Sequence, residues 1–226
     1  MSKRTVAFFD VDGTLTTERV WRGVLDYYKA KGKRTWTLFQ YWVYHMPLYL
    51  LHSVGLLSQS AFRTPWAAHL MWFLRGDTPE QAEPVWDWVT TEYMQGLWRA
   101  QGLDKIMEHK AQGHLVVLVS AGPQPLVERM ARELGADMAV GTKPAVHKGR
   151  YTGGVDGMVS IDENKASLAR AALADHKIDV DFAASWAYAD GSTDVGLLEM
   201  AGHPVAFFPD EFLKPIALER GWPVVE

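Results

Sequence analysis

Two aspartates near the N-terminus stand close enough together to need a chemical explanation. The stretch FFDVDGTLT, residues 8–16, places Asp10 and Asp12 one residue apart, directly behind an apolar run. Side chains alternate along an extended chain, so both carboxylates face the same side. At a partly buried strand end they repel each other, which calls for a cation, a shared proton or a role with phosphate. A solvated turn is the alternative, because Asp-Gly is common in turns, but Gly13 and Thr14 behind a buried strand favour the functional interpretation.

A second candidate, Ser120, ends an apolar run in LVVLVSAGPQP. Its hydroxyl and the backbone N–H groups of Ala121 and Gly122 could hold an oxyanion where the next helix begins. The structural alternative is that Ser120 only caps that helix. The residue types by themselves leave both interpretations open.

Lys165 and two further aspartates complete the candidate set. Lys165 lies near a helix start in DENKASLA, where the helix dipole disfavours a cation. It therefore either has a partner or is solvated, as most lysines are. Asp190 and Asp194 follow an apolar run in YADGSTD. Asp194 suits a helix N-terminus by itself, but the pair also offers the oxygen ligands that Mg²⁺ prefers.

The elements that must position these residues are a first strand, a helical block and an alternation of strands and helices. Residues 5–9 predict a short buried strand, and residues 18–98 are helical and aromatic in pattern. After residue 100, helices and strands alternate, and KGRYTGGVDG predicts a small hairpin. We therefore expect an α/β fold with a Rossmann-like, mostly parallel sheet. Residues 1–17 and 99–226 would form the core, and residues 18–98 an all-helical cap inserted after the first strand.

Three local features carry finer expectations. Thr78, followed by Pro79 and Gln81, predicts a helix N-cap. Asp162 is expected to cap the helix of Lys165. The stretch HPVAFF is expected to be the last strand.

The apolar segment at residues 38–57 invites a membrane interpretation. It contains Gln40, His45, Pro47 and His52, which are costly in a spanning helix. We expect a pair of cap helices broken at Pro47, with a lipid-facing interfacial surface as the alternative.

Composition sets further bounds on the function. The net charge of −4 lacks the basic excess that is typical of nucleic-acid binding, so no nucleic-acid partner is expected. The chain has no cysteine, which excludes thiolate zinc sites and a cysteine nucleophile and suits a reducing cytoplasm. The apolar run at the N-terminus is too short for a signal peptide. Cytoplasmic localisation is therefore expected, and the sequence indicates no oligomeric state.

The order of these motifs resembles a known family. DVDGT, VSAG, the helix of Lys165 and ADGSTD resemble the haloacid dehalogenase (HAD) superfamily hydrolases, subfamily IB, in the phosphoserine-phosphatase-like branch. The resemblance covers residues 5–16 and 100–226. The cap resembles the family only in its position and helical character.

The resemblance implies a magnesium-dependent phosphatase acting on a small phosphate monoester. Asp10 would be the nucleophile that forms an aspartyl-phosphate, and Asp12 the general acid and base. The implied ligands of Mg²⁺ are Asp10, the backbone carbonyl of Asp12, Asp190 and Asp194. The implied phosphate-binding residues are Thr14, Ser120, Ala121, Gly122 and Lys165. Two alternatives stay open: phosphotransfer from the same intermediate, and a non-catalytic or membrane-peripheral module that binds through the aromatic cap.

Departures from the family pattern weaken the case for phosphoserine as substrate. Thr193 stands where those enzymes have asparagine, Glu18 lies one residue before the position of their amine-binding glutamate, and His69 takes the place of their cap arginine. Arg63 lies in the wrong place for that role. The tryptophan-rich cap favours an aromatic, nucleotide or lipid phosphate, unless its tryptophans only form the cap core.

Overall fold

A sheet of six parallel strands forms the centre of the protein in a computed structural model that describes residues 3–226. Residues 3–226 contain eight strands, six in this sheet and two in a separate hairpin. They are β1 Val6–Asp10, β2 Leu115–Pro123, β3 Met138–Thr142, β4 Pro144–His147, β5 Arg150–Val155, β6 Trp186–Ala189, β7 His203–Phe207 and β8 Val224–Val225. The sheet order is β3-β2-β1-β6-β7-β8, while β4 and β5 form a separate antiparallel hairpin, as predicted. The apolar run of β1 is fully buried because β1 lies between β2 and β6, with helices on both faces of the sheet.

The α-helices connect and cover these strands. They are α1 Val20–Ala30, α2 Thr35–Ser53, α3 Gln59–His69, α4 Pro79–Trp88, α5 Ala100–Ala111, α6 Gln124–Leu134, α7 Glu163–Asp175, α8 Val195–Glu199 and α9 Leu213–Glu219. A 3₁₀ turn at Leu70–Leu74 follows α3, and a π turn at Val89–Tyr93 follows α4. The helical block α1–α4 is inserted between β1 and β2, so the predicted α/β fold with a helical cap is confirmed.

The inserted block leaves and rejoins the sheet through a short two-stranded stem. Thr17 donates its backbone N–H to the carbonyl of Leu97 at 2.9 Å, and Arg99 donates to the carbonyl of Leu15 at 2.8 Å. This crossing at residues 15–17 and 97–99 supports a domain boundary close to residues 18 and 98. We keep the division into residues 1–17 with 99–226 and 18–98 as a proposal.

A second attachment joins the cap to the β4–β5 hairpin. Gly76 donates its N–H to the carbonyl of Tyr151 at 2.9 Å, and Tyr151 donates to the carbonyl of Asp77 at 2.9 Å. The Arg75 Nε adds a hydrogen bond to the carbonyl of Thr152 at 2.9 Å. Backbone hydrogen bonds therefore join the cap to the core at two separate places within the described residues.

The helix α2 corrects the expectation of a pair broken at Pro47. It runs unbroken for 19 residues with Pro47 inside it. Proline removes one hydrogen bond of the helix, to the carbonyl of Val43. Both Val43 and Pro47 are exposed, so that carbonyl can be solvated and the helix continues. Among the described residues, no helix combines the length and the apolarity that crossing a bilayer requires.

The remaining local expectations have mixed outcomes. Thr78 forms the predicted capping box with Gln81. Asp162 is the N-cap residue of α7, but its side chain makes no capping hydrogen bond because its backbone has a φ of 51°. HPVAFF is not the last strand, because the chain returns after α9 to add β8.

A histidine pair lies in the core beside β6. His109 on α5 is buried, and its Nε2 lies 2.9 Å from the hydroxyl of Tyr188. Its Nδ1 lies 2.9 Å from Nδ1 of His114. Burial, reinforced by His114, lowers the pKa of His109 to about 4, so this ring is neutral in the folded protein at neutral pH.

Candidate active site

Three buried aspartates converge at the carboxyl edge of the central sheet. Asp10 ends β1, Asp190 follows β6 and Asp194 begins α8. One carboxylate oxygen from each lies within 4.8 Å of the others. Adjacent parallel strands end at the same edge of a sheet, which explains why residues 180 positions apart along the chain meet.

Lys165 inserts its ammonium group among these carboxylates from the first turn of α7. Its Nζ lies 2.5 Å from Oδ1 of Asp10 and also contacts Oδ1 of Asp194. Burial by itself would lower the pKa of Lys165, but the two carboxylates outweigh it and raise the pKa. The ammonium group is therefore permanently charged, and the unfavourable position near the helix N-terminus has the ionic partners that it needs.

The side chain of Asp12 has different partners from that of Asp10. Its Oδ1 accepts a hydrogen bond from the backbone N–H of Val20 at 2.5 Å, and its Oδ2 accepts one from the Ser120 hydroxyl at 3.3 Å. Burial, followed by the nearby Asp10 carboxylate, raises the pKa of Asp12. A raised pKa brings Asp12 closer to the range in which a carboxyl group can hold and donate a proton.

Thr14 and Ser120 belong to the same hydrogen-bonded network. Thr14 donates to Oδ2 of Asp10 at 2.9 Å from a fully buried position. Ser120 accepts from the N–H of Gly122 at 3.0 Å. Ser120 does not cap the next helix, because β2 continues to Pro123 before α6 begins. Ala121 and Gly122 line the cavity above the aspartates.

Three arginines that sequence reasoning did not place in the site also line this cavity: Arg19, Arg22 and Arg63. Arg19 contacts the backbone carbonyl of Asp12, and its Nη2 lies 3.4 Å from Oδ2 of Asp190. Arg63 on α3 donates to the Thr193 hydroxyl at 3.1 Å. The sequence did hold one indication of a residue such as Arg19. The motifs contain four aspartates but a single lysine, Lys165, so a further positively charged side chain could be expected near them. No comparable signal pointed to Arg63.

The charge balance of the site favours a divalent cation. Four carboxyl groups meet two cationic side chains, those of Lys165 and Arg19. Burial, and then the charge of Asp10, raise the pKa of Asp190 to about 8. Burial also raises the pKa of Asp194, to about 6, although Lys165 opposes this shift. Carboxylates left short of positive charge in this way are suited to Mg²⁺, which takes oxygen ligands.

Gly13 keeps the space beside these carboxylates clear. Its backbone φ is +100°, and a Cβ there would lie 2.0 Å from Oδ2 of Asp190. Any other residue would push the Asp190 carboxylate out of place. The three buried aspartates therefore fit a magnesium site.

A cavity of about 440 Å³ opens above the site. Its floor carries Asp10, Asp12 and Lys165, and Arg63 reaches it from the cap helix α3. The cap wall is apolar and is formed by Trp21, Trp42, Met46, Tyr49, Phe62, Trp66 and Leu70. His69 is not among the lining residues, so the position corresponding to the family's cap arginine does not face the cavity.

Comparisons with known proteins agree on the fold and the family. The model of the haloacid dehalogenase-like hydrolases matches residues 7–199. A probable phosphatase of Mycobacterium tuberculosis is 31% identical over 222 residues, which are 98% of this chain and 75% of that protein. A protein of unknown function from Bordetella pertussis Tohama I superposes with a TM-score of 0.84 at 26% identity, covering 100% of this chain and 99% of that one. A substrate-bound phosphoserine phosphatase shares the fold, with a TM-score of 0.64 at 19% identity over 100% and 94% of the two chains.

The family match runs from β1 to α8 and therefore includes the strand ends and helix starts that form the site. The resemblance drawn from the four sequence motifs is confirmed. The chain belongs to the haloacid dehalogenase-like hydrolases.

Proposed function

We propose that this hydrolase is a magnesium-dependent phosphatase that cleaves a phosphate monoester through an aspartyl-phosphate on Asp10. The observation that carries the proposal is the position of Asp10, which lies at the cavity floor with Lys165 at 2.5 Å and the Asp190 and Asp194 carboxylates around it. The Lys165 ammonium group contacts the carboxylate that would attack phosphorus, and a carboxylate can serve as such a nucleophile.

Three carboxylates and one carbonyl would hold the metal: those of Asp10, Asp190 and Asp194, with the backbone oxygen of Asp12. When bound, Mg²⁺ would neutralise phosphoryl oxygens that Lys165 alone cannot balance. Arg19 contacts two of these groups, the Asp12 carbonyl and Asp190. It is therefore expected to move when the metal binds.

The chain's own groups can account for the proton movements. Asp12, whose pKa is raised by its burial and by Asp10, would give a proton to the leaving oxygen as the P–O bond breaks. The resulting Asp12 carboxylate would then take a proton from the water that attacks the aspartyl-phosphate. Both transfers need Asp12 fixed in one orientation, and the hydrogen bonds from Val20 and Ser120 provide this.

The phosphoryl oxygens would be held by Lys165, Thr14 and the segment of Ser120, Ala121 and Gly122. Ala121 and Gly122 line the cavity, and the Ser120 hydroxyl lies beside Asp12. The phosphoryl group would thus lie between β1 and β2, with the leaving group directed toward the cap.

The cavity disfavours phosphoserine, the substrate of the phosphoserine phosphatases that share this fold. Within residues 3–226, the acids that line the cavity are the four aspartates of the site itself. An ammonium group above Asp12 would therefore find no carboxylate free to bind it and would face Arg19 and Arg63. Burying a charge without a partner costs several kcal/mol.

The test is hydrolysis of p-nitrophenyl phosphate with Mg²⁺ and after removal of metal by EDTA. Wild type should turn over only with Mg²⁺, and Asp10→Asn should lose activity by about 10³-fold or more, because the nucleophile is gone. The matched control is Asp26→Asn, which changes an exposed aspartate on α1 and should leave the rate unchanged. Metal-independent turnover, or an Asp10→Asn enzyme with full activity, would refute the proposal.

A further inference from the structure

We propose that the phosphate monoester carries a long apolar leaving group and that the enzyme takes it from an anionic lipid surface on which helix α2 lies. This inference rests on the phosphatase function proposed above and specifies its substrate class. The observations that carry it are an exposed apolar helix face, its continuity with the cavity, and the charges beside it.

The outward face of α2 is apolar except for the exposed Gln40. The apolar residues on it recur every three or four positions: Trp36, Phe39, Val43, Pro47 and Leu50, followed by Val54 at the C-cap. Trp36 is 67% exposed and Leu50 is 57% exposed. Residues 35–62 contain no Asp, Glu, Lys or Arg, so burial of this face would not desolvate an acidic side chain, a lysine or an arginine. A face of this size, with its tryptophan and tyrosine side chains, is typical of helices that lie in a membrane interface.

The same helix forms one wall of the cavity. Trp42, Met46 and Tyr49, which lie on one side of α2, line the cavity above the aspartates and are also exposed to solvent. The cavity mouth therefore opens along the side of the exposed face. Opposite them, Phe62 and Trp66 continue the apolar wall inward. An apolar chain can pass from the outer surface to the site without leaving apolar surroundings.

Basic residues flank the apolar face where α2 begins. Lys29, Lys31 and Lys33 are exposed, and none has an ion-pair partner within residues 3–226. A cluster of lysines beside an apolar helix complements anionic lipid headgroups. Arg34, the next basic residue, is instead paired with Asp77 at 2.7 Å.

A second copy of the chain is the competing occupant of this face. A partner seated on α2 would lie across Trp42, Met46 and Tyr49 and would cover the cavity mouth. A lipid surface at the same place supplies substrate instead of blocking it. The position of the mouth therefore favours the lipid surface.

The first experiment measures vesicle binding by co-sedimentation. The probes are vesicles of phosphatidylcholine alone and of phosphatidylcholine with phosphatidylglycerol. Wild type should bind the anionic vesicles, and the double variant Val43→Glu/Leu50→Glu should bind at least tenfold more weakly, since both side chains point outward and neither lines the cavity. The matched control, Met107→Glu/Leu218→Glu, changes two exposed apolar residues elsewhere and should bind as wild type does.

Equal vesicle binding by wild type and the α2 variant would overturn the docking surface. A stable wild-type dimer that the α2 variant converts to monomer in analytical ultracentrifugation, with no vesicle binding, would replace it with the second-copy interpretation.

The second experiment measures kcat/KM on soluble n-alkyl phosphates from ethyl to octyl. Each methylene that enters the apolar wall should raise kcat/KM, by up to about fourfold. The α2 variant should retain this series and its turnover of p-nitrophenyl phosphate, because it leaves the cavity unchanged. If kcat/KM does not change with chain length, the proposal of an apolar leaving group is refuted.

The two experiments separate this inference from the function on which it rests. If p-nitrophenyl phosphate and every alkyl phosphate are inert with Mg²⁺, the phosphatase proposal fails and the substrate class fails with it. Vesicle binding is measured without turnover. If activity is present while binding and chain-length dependence are absent, only the present inference is refuted.

Discussion

The change of Asp12 to asparagine gives the sharpest test of the proposed division of roles between the two neighbouring aspartates. Asparagine has nearly the same shape, and its Oδ1 can still accept the hydrogen bond from the N–H of Val20 that lies at 2.5 Å in the wild type. The backbone carbonyl of residue 12 also stays in place for the metal. The variant therefore removes one capability, the donation and uptake of a proton.

The size of the effect depends on the leaving group. A positioned general acid contributes about 10²–10⁴ in rate, or about 3–5 kcal/mol in the barrier, when the leaving oxygen is strongly basic. With an alkyl phosphate as substrate, kcat/KM of Asp12→Asn should therefore fall by this full factor. The p-nitrophenolate ion is weakly basic and departs without a proton, so its loss in kcat/KM should stay below about tenfold.

The assay compares kcat/KM of wild type and Asp12→Asn on hexyl phosphate and on p-nitrophenyl phosphate at saturating Mg²⁺. This parameter counts the steps up to the formation of the aspartyl-phosphate and leaves out its hydrolysis. A trapped phosphoenzyme, seen by intact mass after an acid quench, should accumulate in the variant because the base for the second step is missing. Equal losses on the two substrates would show that Asp12 does not protonate the leaving group.

Two further predictions concern the metal site and the core. Gly13→Ala places a Cβ 2.0 Å from Oδ2 of Asp190 and should weaken Mg²⁺ binding at least tenfold, measured by calorimetry. The control is Gly113→Ala, where φ is +75° and no atom lies within 4 Å of the added Cβ; it should lower stability without changing Mg²⁺ binding. His109 has a pKa lowered to about 4 in the fold from 6.5, so the unfolded chain takes up a proton first as the pH falls. Because of this difference in the pKa of His109, the free energy of unfolding should fall by about 2 kcal/mol between pH 7.5 and pH 5. The titratable and charged groups that bear on it are His114, Tyr188, Glu108 and Lys105. Urea titrations at the two pH values should show a smaller drop in His109→Gln; an unchanged drop would contradict the assignment.

The sheet and the convergence of the aspartates could be predicted because both depend on local pattern. Apolar runs of strand length mark β1, β2 and β6, and parallel strands bring their carboxyl ends to one edge. Residues at those ends, such as Asp10 and Asp190, must then lie close together. The structure brings them together with Lys165 and Asp194.

The cap could be predicted only in outline because its details depend on contacts between distant segments. Helical periodicity identifies α1–α4 but does not say which side of α2 faces solvent, since both of its sides are apolar. The direction in which the Arg19 side chain points depends on how the cap packs over residues 10–14. For the same reason, Arg63 reaches Thr193 across 130 positions of sequence, and no local pattern records such a contact.

The backbone attachments of the cap hold some of its segments and leave helix α2 outside them. The stem at residues 15–17 and 97–99 holds the two ends of the cap block, and the contact with Tyr151 holds residues 76–77 near its middle. Helix α2 takes part in neither attachment, and its main packing partners are α1, α3 and the 3₁₀ turn at Leu70–Leu74. Evolution can therefore exchange residues on α2, and with them the compounds that reach the cavity, while the geometry of the phosphate chemistry stays constant. Diversification of substrate preference in chains of this architecture is expected to concentrate in this one helix.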